Sequence, residues 1–300
     1  IMIIKLISLH SASKFEGRIA MCLKARSRAM AVLITCFGLL FGCLVSARIS
    51  AANATKIKDQ FKPIVLKWKK TAEYPHDSEA FTQGFEVWDD KYFLESTGQY
   101  GTSEIRKVER ESGKVHWRAK LDGHLFGEGV TKIGTDILQL TWREGLILKW
   151  RFNEKSGFIQ KSSVPWNGEG WGITKGGGRI WVSNGSSSVF ELDEAQLKLQ
   201  RVVKSTLAGA EFDRLNELEF VNNRIFANVY MTSTVVVLNP KTGVVEALID
   251  IASLAPKGLS IEAVANGLAW DQRRQRLYAT GKNWPRVFEL KLENLSDLKK

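Results

Sequence analysis

The sequence predicts an all-β protein, a five-bladed β-propeller whose ring is closed by an N-terminal strand. Three observations support this fold: a motif repeated five times, three strand-like runs per repeat, and one spare strand-like run before the first repeat. The motif is a polar or aromatic residue, then glycine, then a hydrophobic residue, with a degenerate fourth copy. The copies are Gln83-Gly84-Phe85, Glu128-Gly129-Val130, Trp171-Gly172-Ile173, Glu217-Leu218-Glu219 and Asn266-Gly267-Leu268, and their central positions are 45, 43, 46 and 49 residues apart. Such a period, with three or four strands per repeat, is typical of propeller blades.

Each motif begins a first strand, and two further strand-like runs follow it, separated by turn signals. In the first repeat they are residues 93–98 and 104–109, and in the last repeat 277–282 and 286–292. The run 64–74 precedes the first repeat, while the fifth repeat ends after three strands. We therefore expect the N-terminal run to complete the last blade and remove the exposed edges. A β-sandwich is the alternative, but it does not require five evenly spaced copies of one motif.

Composition excludes several function classes. The net charge is +11, but residues 1–50 contribute +6 of it and the other 250 residues only +5. An excess this small argues against nucleic acid as a partner. All three cysteines lie within the first 43 residues, so the rest of the chain has no thiol nucleophile, disulfide or thiolate metal site. The four histidines show no metal-binding spacing.

Residues 1–50 have the features of a secretory leader. Positions 31–47 are 17 uncharged and nearly apolar residues, preceded by Lys24, Arg26 and Arg28 and ended by small residues. This order is typical of a cleaved signal peptide, and its length also allows an uncleaved signal anchor. We therefore expect the secretory pathway, or the periplasm in a bacterium, with membrane contact only through an uncleaved leader.

The predicted division of the chain is a leader at 1–50, a linker at 51–61, the propeller at 62–293 and a tail at 294–300. Asn53, Asn184 and Asn294 each begin a triplet that matches the N-glycosylation pattern, so we expect a glycoprotein in a host that attaches such sugars. We expect the protein to be a monomer.

Propeller geometry indicates where a ligand would bind. The first residue of each motif lines the axial channel, and the loops after the second strands form one mouth of it. The channel positions are Gln83, Glu128, Trp171, Glu217 and Asn266, and the loop positions lie near Thr97, Gly98, Trp142, Asn184, Tyr230 and Lys282. Aromatic walls with a few polar groups are typical of a small-ligand site.

Glu217 and Glu219 are candidates for holding a cation, because alternation along a strand places both carboxylates on one face. A structural calcium or zinc ion in the channel is one outcome, and salt bridges to basic residues are the commoner one. We expect no cofactor to be required for activity.

The motifs together closely resemble those of the glutaminyl-peptide cyclotransferases of plants and bacteria. The resemblance runs in order from about residue 62 to residue 292. It is carried by Tyr74-Pro-His-Asp77, Ala80-Phe-Thr-Gln-Gly84, Glu95-Ser-Thr-Gly98, Phe126-Gly-Glu-Gly129, Leu140-Thr-Trp142, Gly170-Trp-Gly172, Asn216-Glu-Leu-Glu219, Asn266-Gly-Leu-Ala-Trp270 and Thr280-Gly-Lys-Asn-Trp-Pro285. It implies a five-bladed propeller that acts on peptides or proteins with an N-terminal glutamine. The products are pyroglutamate and ammonia.

The same resemblance implies roles for particular residues. Glu128 would be the carboxyl group that takes a proton from the attacking amine and returns one to the leaving nitrogen, with help from Lys282 and Asn216. The substrate-binding residues would be Gln83, Phe81, Phe126, Trp142, Trp171 and Tyr230. An ion pair between Glu128 and Lys282 that serves stability alone is the alternative for those two. Tyr230 departs from the family, which usually has tryptophan at that position.

Two other functions stay open at this point. One is a non-catalytic secreted propeller that binds peptides or glycans, and the other is a calcium-dependent hydrolase, because fold alone does not fix function. The hydrolase is disfavoured because the five channel positions supply only two acids. A glutamate, two tryptophans and a lysine at matching positions favour the cyclotransferase over the binding module.

Overall fold

The computed structural model describes residues 62–298, and within them the chain forms 23 β-strands and two short 3₁₀ turns, Ala252–Leu254 and Leu295–Asp297. The strands are β1 (Ile64–Val65), β2 (Trp68–Pro75), β3 (Thr82–Val87), β4 (Tyr92–Thr97), β5 (Glu104–Glu109), β6 (Val115–Lys120), β7 (Gly127–Ile133), β8 (Asp136–Thr141), β9 (Leu146–Asn153), β10 (Gly157–Pro165), β11 (Ile173–Gly176), β12 (Arg179–Ser183), β13 (Ser188–Asp193), β14 (Leu199–Lys204), β15 (Thr206–Leu207), β16 (Ala210–Glu211), β17 (Leu215–Val221), β18 (Arg224–Val229), β19 (Thr234–Leu238), β20 (Val245–Asp250), β21 (Ala265–Asp271), β22 (Arg276–Gly281) and β23 (Arg286–Leu292).

Twenty of these strands form five antiparallel blades, as predicted, and β15 and β16 pair as a separate hairpin. Blade 1 contains β3 to β6, blade 2 β7 to β10, blade 3 β11 to β14, blade 4 β17 to β20, and blade 5 β21 to β23 together with β2. The first strands of the blades, β3, β7, β11, β17 and β21, contact one another in sequence around the ring. They are therefore the inner strands that surround the channel.

The exposure of side chains increases from the inner strands of each blade to its outermost strand. In β19, the third strand of blade 4, Val235, Val236 and Val237 are completely buried because neighbouring blades cover both faces of the sheet. Each such side chain contributes roughly 1.5–3 kcal/mol of hydrophobic stabilisation. The outermost strand of blade 1, β6, instead alternates between half-buried and exposed residues, because only one of its faces is covered. The hydrophobic core therefore consists of layers between adjacent blades.

The N-terminal strand closes the ring, which confirms that part of the prediction. β2 pairs antiparallel with β23, so that Trp68 lies opposite Leu292 and Tyr74 opposite Val287. A second pairing was not predicted: β1 runs parallel to β20 and extends blade 4, with Ile64 opposite Ala247. One N-terminal segment thus covers the outer edges of two neighbouring blades.

The repeated glycine has a steric cause. A Cβ atom on Gly84 would lie 2.4 Å from Val130 N, and one on Gly172 would lie 2.1 Å from Asn216 O. On Gly129 it would lie 2.7 Å from the backbone of the next blade. Adjacent inner strands approach so closely that side chains do not fit between them. Blade 4 has Leu218 at the equivalent position, which is the degenerate fourth copy.

The predicted leader, the linker and the Asn53 triplet lie outside the described residues. From residue 62 to residue 298, no helix is long and apolar enough to cross a membrane. The beginning of the predicted tail is anchored to the N-terminal strands: Lys67 N–H donates to Asn294 Oδ1 at 2.7 Å. Leu298 packs against the core between blades 4 and 5.

Candidate active site

Irregularities in the inner strands place the polar residues around one mouth of the channel. In β3, β7, β17 and β21, the pairing with the next strand shifts register near the start of the strand. Such β-bulges bend the strand and redirect a side chain. The shifts fall at the predicted channel residues Gln83, Glu128, Glu217 and Asn266, and at Asn216, which was predicted to be catalytic. In blade 3, Trp171 lies two residues before the start of β11 and takes the equivalent position.

A chain of hydrogen bonds leads to Glu128. Asn266 Nδ2 donates to Gln83 Oε1 at 3.1 Å, and Gln83 Nε2 donates to Glu128 Oε1 at 2.8 Å. The three residues come from blades 5, 1 and 2 and are 0%, 3% and 4% exposed. The donor on Oε1 fixes the plane of the carboxyl group. Oε2 receives no hydrogen bond from the part of the chain that the structure describes.

The environment of Glu128 favours its protonated form. Burial, the largest effect, raises the pKa of its carboxyl group well above the usual value. The positive charge of Lys282 works against this, and the negative charges of Glu169 and Glu144 add to it. A raised pKa makes the carboxyl group a weaker acid and its ionised form a stronger base, so the same group can take a proton and later return it.

Lys282 lies at the same mouth without touching Glu128. Its Nζ lies 4.5 Å from the centroid of the Phe81 ring and 5.4 Å from that of Tyr230, and the residue is 5% exposed. Burial lowers the pKa of its ammonium group, and Glu128 and Glu262 oppose that effect. Within residues 62–298 the ammonium has no carboxylate within 4.0 Å, so a direct structural ion pair with Glu128 is not formed.

Aromatic rings form two walls of the site. Phe81, Phe126 and Trp142 form a row, with centroids 6.3 Å apart for the first pair and 5.4 Å for the second. Trp171 and Tyr230 form the other pair, edge to face at 5.4 Å. The structure therefore brings the five predicted aromatic residues to the mouth that holds Glu128 and Lys282.

Glu169 was not predicted, yet it connects the two walls. Its Oε2 accepts hydrogen bonds from the indole N–H groups of Trp142 at 3.0 Å and Trp171 at 2.9 Å. The sequence carried a signal for it, since Glu169 stands between two glycines directly before the Gly170-Trp171-Gly172 motif. A second unpredicted residue is Tyr100, whose ring packs edge to face on Phe126 at 5.3 Å.

Asn216 is buried with an unused acceptor. It is 2% exposed, and its Oδ1 has no hydrogen-bond partner. Its backbone carbonyl accepts from the Ser183 hydroxyl at 2.6 Å, which ties β17 to the end of β12. The side chain makes no hydrogen bond to another described residue, so it is not part of the network from Asn266 to Glu128.

Glu217 and Glu219 connect blade 4 to other blades of the ring through hydrogen bonds. Glu217 accepts from the backbone N–H groups of Phe85 at 3.3 Å and Leu268 at 3.0 Å, one on each oxygen, and Glu219 accepts from Trp270 N–H at 2.7 Å. Burial raises the pKa of both carboxyl groups well above the usual value. In the described range, no group of three or more histidine, cysteine, aspartate or glutamate residues is placed to hold a metal ion. The salt bridges to basic residues that were expected as the commoner outcome are replaced by hydrogen bonds from backbone N–H groups. A bound cation in the channel stays a prediction.

The fold and the site together define a class of protein: a five-bladed propeller whose channel mouth holds a buried carboxyl group of raised pKa between aromatic walls. Comparison with known proteins then identifies the family. The sequence model of the glutamine cyclotransferase family matches residues 42–292. The chain therefore belongs to this family, and it is an enzyme of the glutaminyl-peptide cyclotransferase type.

Two relatives support this identification. The chain is 35% identical over 230 residues to the glutaminyl-peptide cyclotransferase of Arabidopsis thaliana, covering 75% of this chain and 71% of that protein. It is 34% identical to the glutaminyl cyclase of Myxococcus xanthus, whose crystal structure superposes with a TM-score of 0.71 over 77% of this chain and 99% of that one. These similarities favour the enzyme over the non-catalytic binding module.

Proposed function

We propose that this enzyme converts the N-terminal glutamine of peptides and proteins into pyroglutamate and ammonia through one carboxyl group, that of Glu128. The observation that carries the proposal is the burial of this carboxyl group at the channel mouth that also holds Lys282 and the two aromatic walls. The reaction is intramolecular, because the α-amine of glutamine attacks the γ-carbonyl of its own side chain. Holding the side chain folded therefore supplies a large part of the acceleration.

In the proposed reaction a proton passes through Glu128 twice. The α-amine nitrogen forms a bond to the side-chain carbonyl carbon, Cδ, and gives one proton to the Glu128 carboxylate. The protonated carboxyl group then gives that proton to the amide nitrogen, the carbon–nitrogen bond breaks, and ammonia leaves. Glu128 ends as it began. Oε2 is the atom assigned to both transfers, because Gln83 holds Oε1.

The surrounding residues would bind and orient the substrate. The Lys282 ammonium supplies positive charge for the carbonyl oxygen as it becomes negative. Asn216 Oδ1 has no partner but is itself buried, so in this proposal it accepts an N–H of the substrate amine only once its side chain turns toward the channel. Phe81 and Tyr230, which flank Lys282, cover the glutamine side chain and exclude water.

No step of this proposal uses a metal ion or another cofactor. The carboxyl group performs the proton transfers and the ammonium group supplies the positive charge, so a calcium or zinc ion would be structural. Activity that survives a chelator is the expected result.

The test compares ammonia release from a glutamine-initiated dipeptide by the wild type and by Glu128→Gln. The new amide can still accept the Gln83 hydrogen bond through its oxygen, so the channel network persists while proton transfer is lost. We expect kcat to fall by at least about 100-fold. The control is Glu154→Gln, at an exposed carboxylate in the same blade that pairs with Lys107, and it should retain full activity.

Two results would overturn the proposal. A Glu128→Gln variant within about threefold of the wild type would remove Glu128 from the chemistry, because a lost acid–base group costs far more. A folded wild type that releases no ammonia would instead indicate the binding module.

We also propose that residues 1–50 direct the enzyme into the secretory pathway or a periplasm, where it acts as a monomer. The support is the order of basic, apolar and small residues in the leader. The chain has no cysteine after Cys43, so an oxidising compartment would form no disulfide in the propeller. N-terminal sequencing of the exported protein and its mass by light scattering test the two parts separately.

A further inference from the structure

We infer that Glu169 is a positioning residue that fixes Trp142 and Trp171 relative to each other and thereby sets the width of the glutamine pocket. Both indole N–H groups donate to one oxygen, Oε2, at 3.0 Å and 2.9 Å. The two tryptophans come from different blades, since Trp142 follows β8 of blade 2 and Trp171 precedes β11 of blade 3. This inference rests on the proposed role of the two tryptophans as walls of the substrate pocket.

Glu169 is itself held in place by its surroundings. Its Oε1 accepts from Arg143 Nε at 3.2 Å, and its backbone carbonyl accepts from the Trp166 indole at 3.0 Å. The Arg143 guanidinium also lies 3.7 Å from the centroid of the Trp142 ring. The carboxylate thus has both oxygens bonded and its backbone anchored, so it acts as a fixed point from which the two rings are oriented.

The ionised form of Glu169 is the one that these contacts favour. Burial alone would raise the pKa of its carboxyl group, but the hydrogen bonds from Trp171, Trp142 and Arg143 outweigh burial and lower it. Hydrogen bonds to a charged acceptor are shorter and stronger than neutral ones. A single charged oxygen therefore ties the two walls together through two charge-assisted hydrogen bonds.

Glu169 exerts a second influence, on Glu128, that an experiment can separate from the first. Its negative charge, like that of Glu144, raises the pKa of Glu128, while Lys282 lowers it. Glu144 contacts neither tryptophan indole; it accepts instead from the Tyr100 hydroxyl at 2.9 Å and the Phe126 N–H at 3.4 Å. Glu144→Gln therefore removes a similar charge and leaves the shared indole acceptor intact.

The experiment measures kcat and KM for a glutamine-initiated dipeptide as a function of pH in Glu169→Ala, Glu169→Gln and Glu144→Gln. We expect Glu169→Ala to raise KM about 10-fold or more and to lower kcat/KM by up to about 100-fold, the order of loss for a misplacement near 1 Å. Glu169→Gln keeps a side-chain oxygen that can accept from both indoles, so its KM should stay within about threefold of the wild type. A normal KM in this conservative variant is what we expect if Glu169 acts by accepting hydrogen bonds.

The pH profiles give the second readout. Glu169→Gln and Glu144→Gln should both move the acid limb of kcat/KM to lower pH, because each removes a negative charge that raises the pKa of Glu128. Of the three variants, only Glu169→Ala should combine that shift with a large increase in KM. Wild-type-like KM in Glu169→Ala, or an equal KM in Glu169→Ala and Glu144→Gln, would overturn the positioning role.

Failure of this inference is distinguishable from failure of the proposed function. If the wild type and Glu144→Gln release ammonia while Glu169→Ala keeps a normal KM, only the positioning role is refuted. If the folded wild type is itself inactive, the proposed function fails first. If Glu169→Ala does not fold, Glu169→Asn replaces it in the test, because the shorter asparagine side chain cannot reach the indoles in the same way. A normal KM in Glu169→Asn also refutes the positioning role.

Discussion

Substitution of Gly129 by alanine tests the packing at the centre of the ring. The new Cβ would lie 2.7 Å from both Trp171 O and Ile173 N, where 3.4–4 Å is ordinary contact, and both atoms belong to backbone that cannot rotate away. The Gly129 N–H also donates to Trp171 O at 2.7 Å, and separating the two blades would break that bond. The variant therefore combines overpacking with the loss of a buried hydrogen bond.

The expected cost follows from these two effects. Overpacking a filled interior costs roughly 1–3 kcal/mol, and a buried donor or acceptor left without a partner costs roughly another 1–3 kcal/mol. We therefore expect the free energy of unfolding to fall by roughly 2–6 kcal/mol. Activity should fall as well, because Glu128 is the adjacent residue and would move with the strand.

The assay is denaturant-induced unfolding, followed by tryptophan fluorescence and by circular dichroism. Gly123→Ala is the matched control: it lies on the exposed loop that leads toward the same strand, where a Cβ would come no closer than 3.9 Å to another atom. The control should remain within about 0.5 kcal/mol of the wild type. If Gly129→Ala were equally stable, with an unchanged denaturant slope, the close approach of the inner strands would be refuted.

Two further predictions concern ionisable groups. Lys282→Met removes the positive charge that lowers the pKa of Glu128, so the acid limb of the kcat/KM profile should move to higher pH; an unmoved limb would contradict the coupling. His76 is buried, and its Nε2 lies 2.9 Å from Glu95 Oε1. Burial lowers the pKa of His76, but Glu95 and the Trp284 carbonyl outweigh burial, so the pKa of His76 is raised overall. A raised histidine pKa stabilises the fold fully below the unfolded value, about 6.5, and the stabilisation is lost as pH rises through the folded value. His76→Gln should therefore lower the unfolding free energy by on the order of 3 kcal/mol near pH 5.5. The difference should shrink at alkaline pH, and urea titrations at several pH values that show a constant or growing difference would refute this assignment.

The fold was predictable because its main determinant, the close packing of the inner strands, produces a motif that repeats along the sequence at a regular spacing. The close approach of inner strands excludes a side chain at Gly84, Gly129 and Gly172, and the positive φ of Gly267, +122°, favours glycine in blade 5, so the residue recurs in four of the five blades. The pairing of the N-terminal strand with blade 5 was predictable by counting strands, because the fifth repeat supplies only three. The parallel pairing of β1 with β20 was not, since two residues carry no pattern that specifies a partner.

The site was predictable as a set of residues but not as a set of contacts. The motif placed Glu128 and Gln83 in the channel, and the bulges that redirect their side chains bring them into contact. The sequence did not give the separation between Lys282 and Glu128, which depends on where the ends of two blades meet. Glu169 was missed because it lies outside the repeated motif and its role depends on two tryptophans from different blades, and only the folded chain shows that both donate to it.

The way the ring is closed has a consequence for how the enzyme comes into being. Lys67 near the start of the propeller bonds to Asn294, 227 positions further along the chain, so the seam at blade 5, where the N-terminal segment meets the last strands, can form only after residue 294 has been synthesised. Contacts of such long sequence separation are slow to form. The pocket straddles this seam: Asn266 of blade 5 donates to Gln83 of blade 1, and Lys282 lies over Phe81. Catalytic competence therefore requires the closed ring, and turnover reports that the ring is complete.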